Sequence, residues 1–393
     1  MARVLDSAPP SLLPRAPRHR LLPAVLAAQL LVVACVGAGS GDRRAAVRGW
    51  TEIAAPAPGA RVLVTLSMGD RMMMLGSVPH GRARAPAAWT SADARTWRRV
   101  PIRPATGYGW QAEFVMATAV GRRVTAFGQA NGGAHGNPRP TLWVGTAAGL
   151  KEHEQPITMF GGEDAISQTD ETARPGQDLI VGAWESRRHR YGAAVWTSPD
   201  GIRWTRDADD PALQSARGEQ TTARGAAASP RGFLVVGDTL AGEAQLPLAW
   251  SSADGTAWRR LVLPHGVAAT AARAACDAHG CVVVGNTTRG APRLQCWSVP
   301  LGGTATRRGA GPGGGLTEPA QVLLQGDVAI SVVGIDRIAR LTVSRRDCVR
   351  TTRVAMPVAE RDATDAAMPH RLVLATTGAG ASRLWTRPLP GAP

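Results

Sequence analysis

The chain has 393 residues, 44% of them hydrophobic and only 5% aromatic, with 45 Gly, 29 Pro, 12 Trp and a formal charge of +15. That length asks for two or three domains or one large repetitive one, and the shortage of Lys, Glu and Gln beside so much Gly and Pro excludes a helical bundle in favour of strands and turns. Lys151 is the only lysine, so Arg carries the charge; with no basic helix, RNP-like motif or zinc pattern beside it, the excess reads as an Arg-rich composition rather than a nucleic-acid footprint.

At the N-terminus Arg15, Arg18 and Arg20 precede the apolar run "LLPAVLAAQLLVVA", residues 21–34. At about 1.5 Å per residue this run is too short to cross a hydrocarbon core of about 30 Å. It is expected to be a signal peptide covering residues 1–34. The run ends in Val32-Val33-Ala34-Cys35, which resembles the bacterial lipobox. The resemblance implies that Cys35 is the lipid-attachment site and the first mature residue, and that residues 35–48 form a flexible tether. The protein would then be extracytoplasmic and held to the cell membrane by its lipid alone; the alternative is an ordinary secreted protein.

From residue 49 the chain repeats. The strand patterns "MMMLGS", "VTAFGQ", "LIVGAW", "LVVGDT", "VVVGNT" and "SVVGID" align Gly76, Gly128, Gly182, Gly237, Gly285 and Gly334, with Ala375 in a weaker seventh copy. Their spacing of about 41–55 residues is what one four-stranded propeller blade consumes. A tight Gly-, Pro- or Asp-bearing turn precedes each copy, and a further strand follows it, carrying Trp89, Trp143, Trp196, Trp250, Trp297 or Trp385, with Thr342 in the sixth copy. Three fourth strands are expected to start at Trp97, Trp204 and Trp258. The seventh copy ends without one, and "GWTEIAAP" from Gly49 supplies the missing pattern at the other end. The predicted fold is therefore all-β: a seven-bladed β-propeller over residues 49–390, closed by an N-terminal strand that completes the last blade and removes free sheet edges. The glycine-rich Gly309–Gly315 reads as a blade linker.

After Cys35 four cysteines remain, which in an exported chain suggests two disulfides out of three possible pairings. Cys276 and Cys281 flank the turn "DAHG", so a cross-strand bridge is expected there, leaving Cys296 with Cys348. No histidine stands at ligand spacing from these thiols, and no metal or cofactor is expected.

The turns "TSADARTW", "TSPDGIRW" and "SSADGTAW" join third to fourth strands in copies 1, 3 and 4. They resemble the Asp box of the sialidase-like, or BNR-repeat, propellers, with the Gly one position earlier than in the common form. Physically, Asp93, Asp200 and Asp254 are suited to accept backbone N–H bonds within a turn, with Ser91, Ser198 and Ser252 adding to them. Being on separate blades, these carboxylates cannot converge on one substrate.

Binding residues are expected on the other face, where second-to-third-strand loops and blade connections gather. Those loops offer Arg82, Arg84, Arg139, Arg187, Arg188, Arg190, Tyr191, Arg289 and Arg337, and one connection adds Tyr108 and Trp110, a pair suited to stacking on a sugar ring or to plugging the channel. Guanidinium groups grip carboxylates and phosphates bidentately, so the expected partner is an anionic glycan, a cell-wall polymer or an acidic protein surface. An Arg-rich composition would also scatter Arg into exposed loops, and both readings stand at this point. Glu163 with Asp164, and Asp207, Asp209 and Asp210, are carboxylate groups of the kind glycosidases pair; exposed acidic loops account for them as well. The family resemblance implies a sialidase-type hydrolase or lyase as the alternative function. Against it, the Arg-Ile-Pro tripeptide of such enzymes is absent, Ile102-Arg103-Pro104 having another order, and neither Tyr108 nor Tyr191 has an evident Glu partner. No nucleophile elbow, HExxH helix or phosphate-binding loop occurs. The expectation is a monomeric, non-catalytic propeller lipoprotein that binds through its Arg-bearing face.

Overall fold

Each repeat folds into one antiparallel meander of four strands in the computed structural model, which describes residues 46–132, 138–185, 191–300, 305–313 and 317–391. These residues belong to a single unit, Arg44–Pro393; the segment expected to be a signal peptide, and Cys35, lie outside the described residues. Blade 1 comprises Arg61–Met68, Arg71–His80, Ala83–Ser91 and Arg98–Val100. Blades 2 to 6 repeat this order, and blade 7 draws its four strands from both ends of the unit. It takes Asp362–Met368, Arg371–Thr377 and Arg383–Pro388 from the C-terminal end and Trp50–Ile53 from the beginning, with Glu52 opposite Trp385. The seven-bladed ring and its closure are thus as the repeat predicts. Two blades gain a fifth strand: Ala46–Val47 extends blade 7, and Ile102–Arg103 lies parallel to Gly149–Glu152 on the rim of blade 2.

The core is distributed. Among the described residues, buried apolar side chains form seven clusters, one between each pair of neighbouring blades. The recurrent tryptophans are their largest members and are buried. Three of their indole N–H groups, and that of Trp50, also fasten the blade connections: Trp196 donates to Met159 O (2.8 Å), Trp250 to Ala212 O (2.7 Å), Trp297 to Pro264 O (2.7 Å) and Trp50 to Ala355 O (2.7 Å). A buried indole that also satisfies its donor serves both packing and position.

The recurrent glycine has a specific cause. Opposite it the innermost strand carries a β-bulge, the register slipping between Val62 and Val64, Phe114 and Met116, Gln168 and Asp170, Ala223 and Gly225, and Ala271 and Arg273. The bulge turns a carbonyl against the second strand, so a Cβ on Gly76, Gly182, Gly237 or Gly285 would stand within 2.0 Å of a backbone oxygen. Blade 7 runs in unbroken register, and its inner strand leaves room for Ala375.

Two expectations need correction. The stretch read as a linker, Gly309–Gly315, instead supplies the end of Thr306–Gly313, the outermost strand of blade 5. Its pairing with Arg293–Pro300 is irregular, and only an outermost strand tolerates Pro312 and so many glycines. The fourth strands of blades 1, 3 and 4 begin one residue after Trp97, Trp204 and Trp258, at Arg98, Thr205 and Arg259. Both disulfides form as expected: Cys276–Cys281 bridges directly paired residues of one hairpin, and Cys296–Cys348 ties blade 5 to blade 6.

Candidate functional site

The two faces of the ring are built differently. On one, the Asp-bearing turns close on themselves. Asp93 Oδ1 accepts from the N–H of Arg95 (2.8 Å) and Thr96 (2.7 Å), Asp200 Oδ1 from Ile202 and Arg203 (both 2.9 Å), and Asp254 Oδ1 from Thr256 (2.9 Å) and Ala257 (3.0 Å). Ser91, Ser198 and Ser252 complete each turn. The backbone donors of Thr96 and Arg95 hold the Asp93 carboxyl well below the usual carboxylate range, and Ala257 and Thr256 do the same for Asp254. Burial alone would raise Asp200, yet its backbone donors bring it down to about 2. The residue after each Asp is left-handed: Gly201 and Gly255 at φ 76°, and Ala94 at φ 57°. These groups hold turns. Asp207 and Asp210 are likewise spent on the N–H groups of Asp209, Asp210 and Ala212.

The opposite face carries the mouth of the channel, and there a cavity of about 860 Å3 spreads over blades 3 to 7. Arg224, Arg273, Arg337 and Arg361 line it, together with the amides of Gln245 and Asn286. Arg224 is paired with Asp238, whose other oxygen accepts from Gln245 Nε2 at 2.7 Å. Arg273 spans three blades: its Nη1 reaches Arg224 O (2.5 Å) and Ala272 O (2.9 Å), and its Nε reaches Ala320 O (2.9 Å). These acceptors lie at the bulges, so the same backbone feature that demands the glycines also seats a cation at the mouth. Arg337 is exposed in a turn at φ 61°. Below the mouth, burial raises the Asp170 carboxyl while Arg273 pulls it down. Burial, with Asp178 and Asp170 beside it, raises the Glu171 carboxyl well above its ordinary value.

The residues singled out in the sequence separate into groups. Arg337 lines the mouth. Arg289, on the same face, donates to Glu243 O (3.1 Å) and faces its carboxylate at 3.7 Å. Arg82 is exposed at the tip of its turn. Arg84, expected as a displayed loop residue, instead clamps blade 1 to blade 2: it donates to Ser77 Oγ (2.7 Å) and Gly59 O (2.8 Å) and faces Glu113 at 3.2 Å. Tyr191 is also turned inward, its hydroxyl 3.0 Å from Thr222 Oγ1 in the next blade. Arg187, Arg188 and Arg190 lie outside the described residues. Arg224, Arg273 and Arg361 escaped sequence reasoning. The first two sit in small-residue strands, "TTARGAAAS" and "ATAARAAC", where one long cation is the available signal.

Tyr108 and Arg139 meet in a second, smaller hollow of about 310 Å3 at the edge of the same face, between blades 2 and 3. The guanidinium carbon of Arg139 stands 5.8 Å from the centre of the Tyr108 ring. Trp110, on the same connection, is 62% exposed and Tyr108 43%. Among the described residues no group of three His, Cys, Asp or Glu is placed to hold a metal ion.

No protein-family model matches the chain, and no curated protein matches it. Solved structures of similar fold include the β-propeller domain of the Trilobed protease from Pyrococcus furiosus, at 9% identity, 84% of this chain, 95% of that one and a TM-score of 0.48. Prolyl oligopeptidase B from Galerina marginata is similar at 13% identity, with 82% of this chain, 49% of that one and a TM-score of 0.47. Acylaminoacyl peptidase from Pyrococcus horikoshii gives 10%, 85%, 53% and 0.46. The chain spans about half the length of these two peptidases.

Proposed function

We propose that this protein is a non-catalytic exported propeller lipoprotein, anchored through Cys35, that binds an anionic cell-envelope component or acidic protein partner at the mouth of its channel. The observation that carries the reading is the arginine-lined cavity on the loop face. Arg224, Arg273, Arg337 and Arg361 surround it, and Asp362 is the carboxylate among its lining residues. Arg273, held by backbone carbonyls, and Arg224, held by Asp238, are already oriented, and the exposed Arg337 and Arg361 add charge beside them for a carboxylate or phosphate. Gln245, Asn286 and Thr270 add neutral hydrogen-bonding groups of the kind that read hydroxyls. A glycoside hydrolase working here would need a second carboxyl group, or a Tyr with Glu, facing Asp362 across the cavity.

The test combines an array of acidic and neutral glycans and wall polymers with a screen of fluorogenic glycosides, both on the purified protein. The expected result is binding to anionic members only, weakening steeply with salt and lost in the Arg337→Gln/Arg361→Gln variant. Turnover of a glycoside that disappears in Asp362→Asn would overturn the reading in favour of the hydrolase. For the anchor, Cys35→Ser is expected to move the protein from the membrane fraction to the medium.

A further inference from the structure

The hollow between blades 2 and 3 has the make-up of a binding site in its own right. One part of its wall is apolar, formed by Pro140, Leu142, Pro156, Ile157 and Phe160, of which Leu142 and Phe160 belong to the buried core and Ile157 stands 58% exposed at the rim; polar residues line the rest. Arg139 enters it from the start of its strand, with a buried Nε that has no hydrogen-bond partner and its guanidinium near the Tyr108 ring. The guanidinium as a whole is only half-buried, so its outer Nη groups are the donors that an anion in the hollow would meet.

The nearby acids do not occupy that donor. Glu152 is folded into the connection beneath Tyr108, where its carboxylate accepts from Ala105 N (2.6 Å), Thr106 N (2.8 Å) and Thr106 Oγ1 (2.7 Å). It shapes the wall: Gly109 lies so close that a Cβ there would be 1.9 Å from Glu152 Oε2. Glu154 is exposed. Burial, helped by Lys151, lowers the His153 imidazole in the wall from its ordinary range.

From this geometry we infer that the hollow binds a small carboxylic acid with a flat apolar body, the carboxylate on Arg139 and the body between Tyr108 and the Leu142–Phe160 wall. Its volume of about 310 Å3 suits a single aryl or branched aliphatic acid rather than a polymer. The site is separate from the channel mouth and stands whether or not the mouth binds a polyanion.

The test is ligand-observed NMR and calorimetry on the purified protein with phenylacetate and benzoate, set against benzyl alcohol and N-acetylglucosamine. The two acids are expected to bind saturably, benzyl alcohol at least about tenfold more weakly, and Arg139→Gln to reduce acid binding by about the same factor. Glu154→Gln is expected to strengthen it, and Arg337→Gln/Arg361→Gln to leave it unchanged. Near-UV circular dichroism and thermal unfolding confirm that each variant is folded; should Arg139→Gln fail there, Tyr108→Leu gives the same reading. Equal binding of acid and alcohol, preference for the sugar, insensitivity to both variants, or no saturable binding of either acid below roughly 10 mM would each overturn the inference.

Discussion

Asp365 is the least comfortable residue of the ring. It lies fully buried in the innermost strand of blade 7, and neither carboxylate oxygen has a partner, while its backbone is well held: its N–H donates to Gln321 Oε1 (3.1 Å) and its O accepts from Thr65 Oγ1 (2.6 Å). Burial pushes its carboxyl up to about 8. A group whose pKa is raised by folding stabilises the fold below its unfolded value, and that contribution falls away as pH climbs toward the folded value. Asp365→Asn is therefore expected to flatten the decline in melting temperature between pH 3.8 and about 8, with the variant increasingly the more stable toward the alkaline end. Thermal scans across that range decide it; parallel curves for variant and parent would refute the assignment. Nothing in the local sequence "DATDAAM" marks this Asp as buried. It alternates like any strand residue, and its isolation arises because blade 6 closes over it.

At the scale of the element, the bulge and its glycine form one device. Gly237→Ala would place a methyl group 1.9 Å from Thr222 O, against backbone that cannot rotate away. The expected cost is roughly 1–3 kcal/mol or more, as for other overpacked sites, read as a lower unfolding midpoint in denaturant. Ala375→Gly, at the same position of the bulge-free blade, is expected to cost only about 0.5–1 kcal/mol from added chain freedom. Equal effects at both positions would remove the bulge as the reason for the glycine. The repeat was readable from sequence because the glycine recurs from blade to blade, at four positions against a carbonyl; the bulge behind it was not, since a slip of one residue leaves no fixed residue type on the slipping strand. The same blindness hid Arg224 and Arg273.

For the whole molecule, closure depends on one short strand. Trp50 is buried among Leu341, Met356, Leu374 and Trp385 between blades 6 and 7. Arg383 pairs with both oxygens of Glu52 at 2.9 Å on the neighbouring strand. Trp50→Ala is expected to cost about 3–5 kcal/mol, the range for losing a large buried aromatic. It should also expose the edge of Arg383–Pro388 and promote association, visible in size-exclusion chromatography. A variant that melts and elutes with its parent would show the seam to be dispensable.

Blade number, closure and the disulfide pairing were all determined by the chain's own pattern, because each depends on a spacing that repeats or on residues a few positions apart. Turn chemistry followed for the same reason: Asp200 and its acceptor geometry lie within five residues of one another. The binding face was only half determined. Loop position told which face each Arg belongs to, but whether an Arg is displayed or spent is set by the neighbouring blade, as Glu113 does for Arg84 and Glu243 for Arg289. Tertiary structure alone decided that the inner-strand arginines converge on the channel mouth and that Tyr108 and Arg139, some thirty residues apart, share one hollow. Such groupings come from the packing of separate sheets around an axis, and no local period records them.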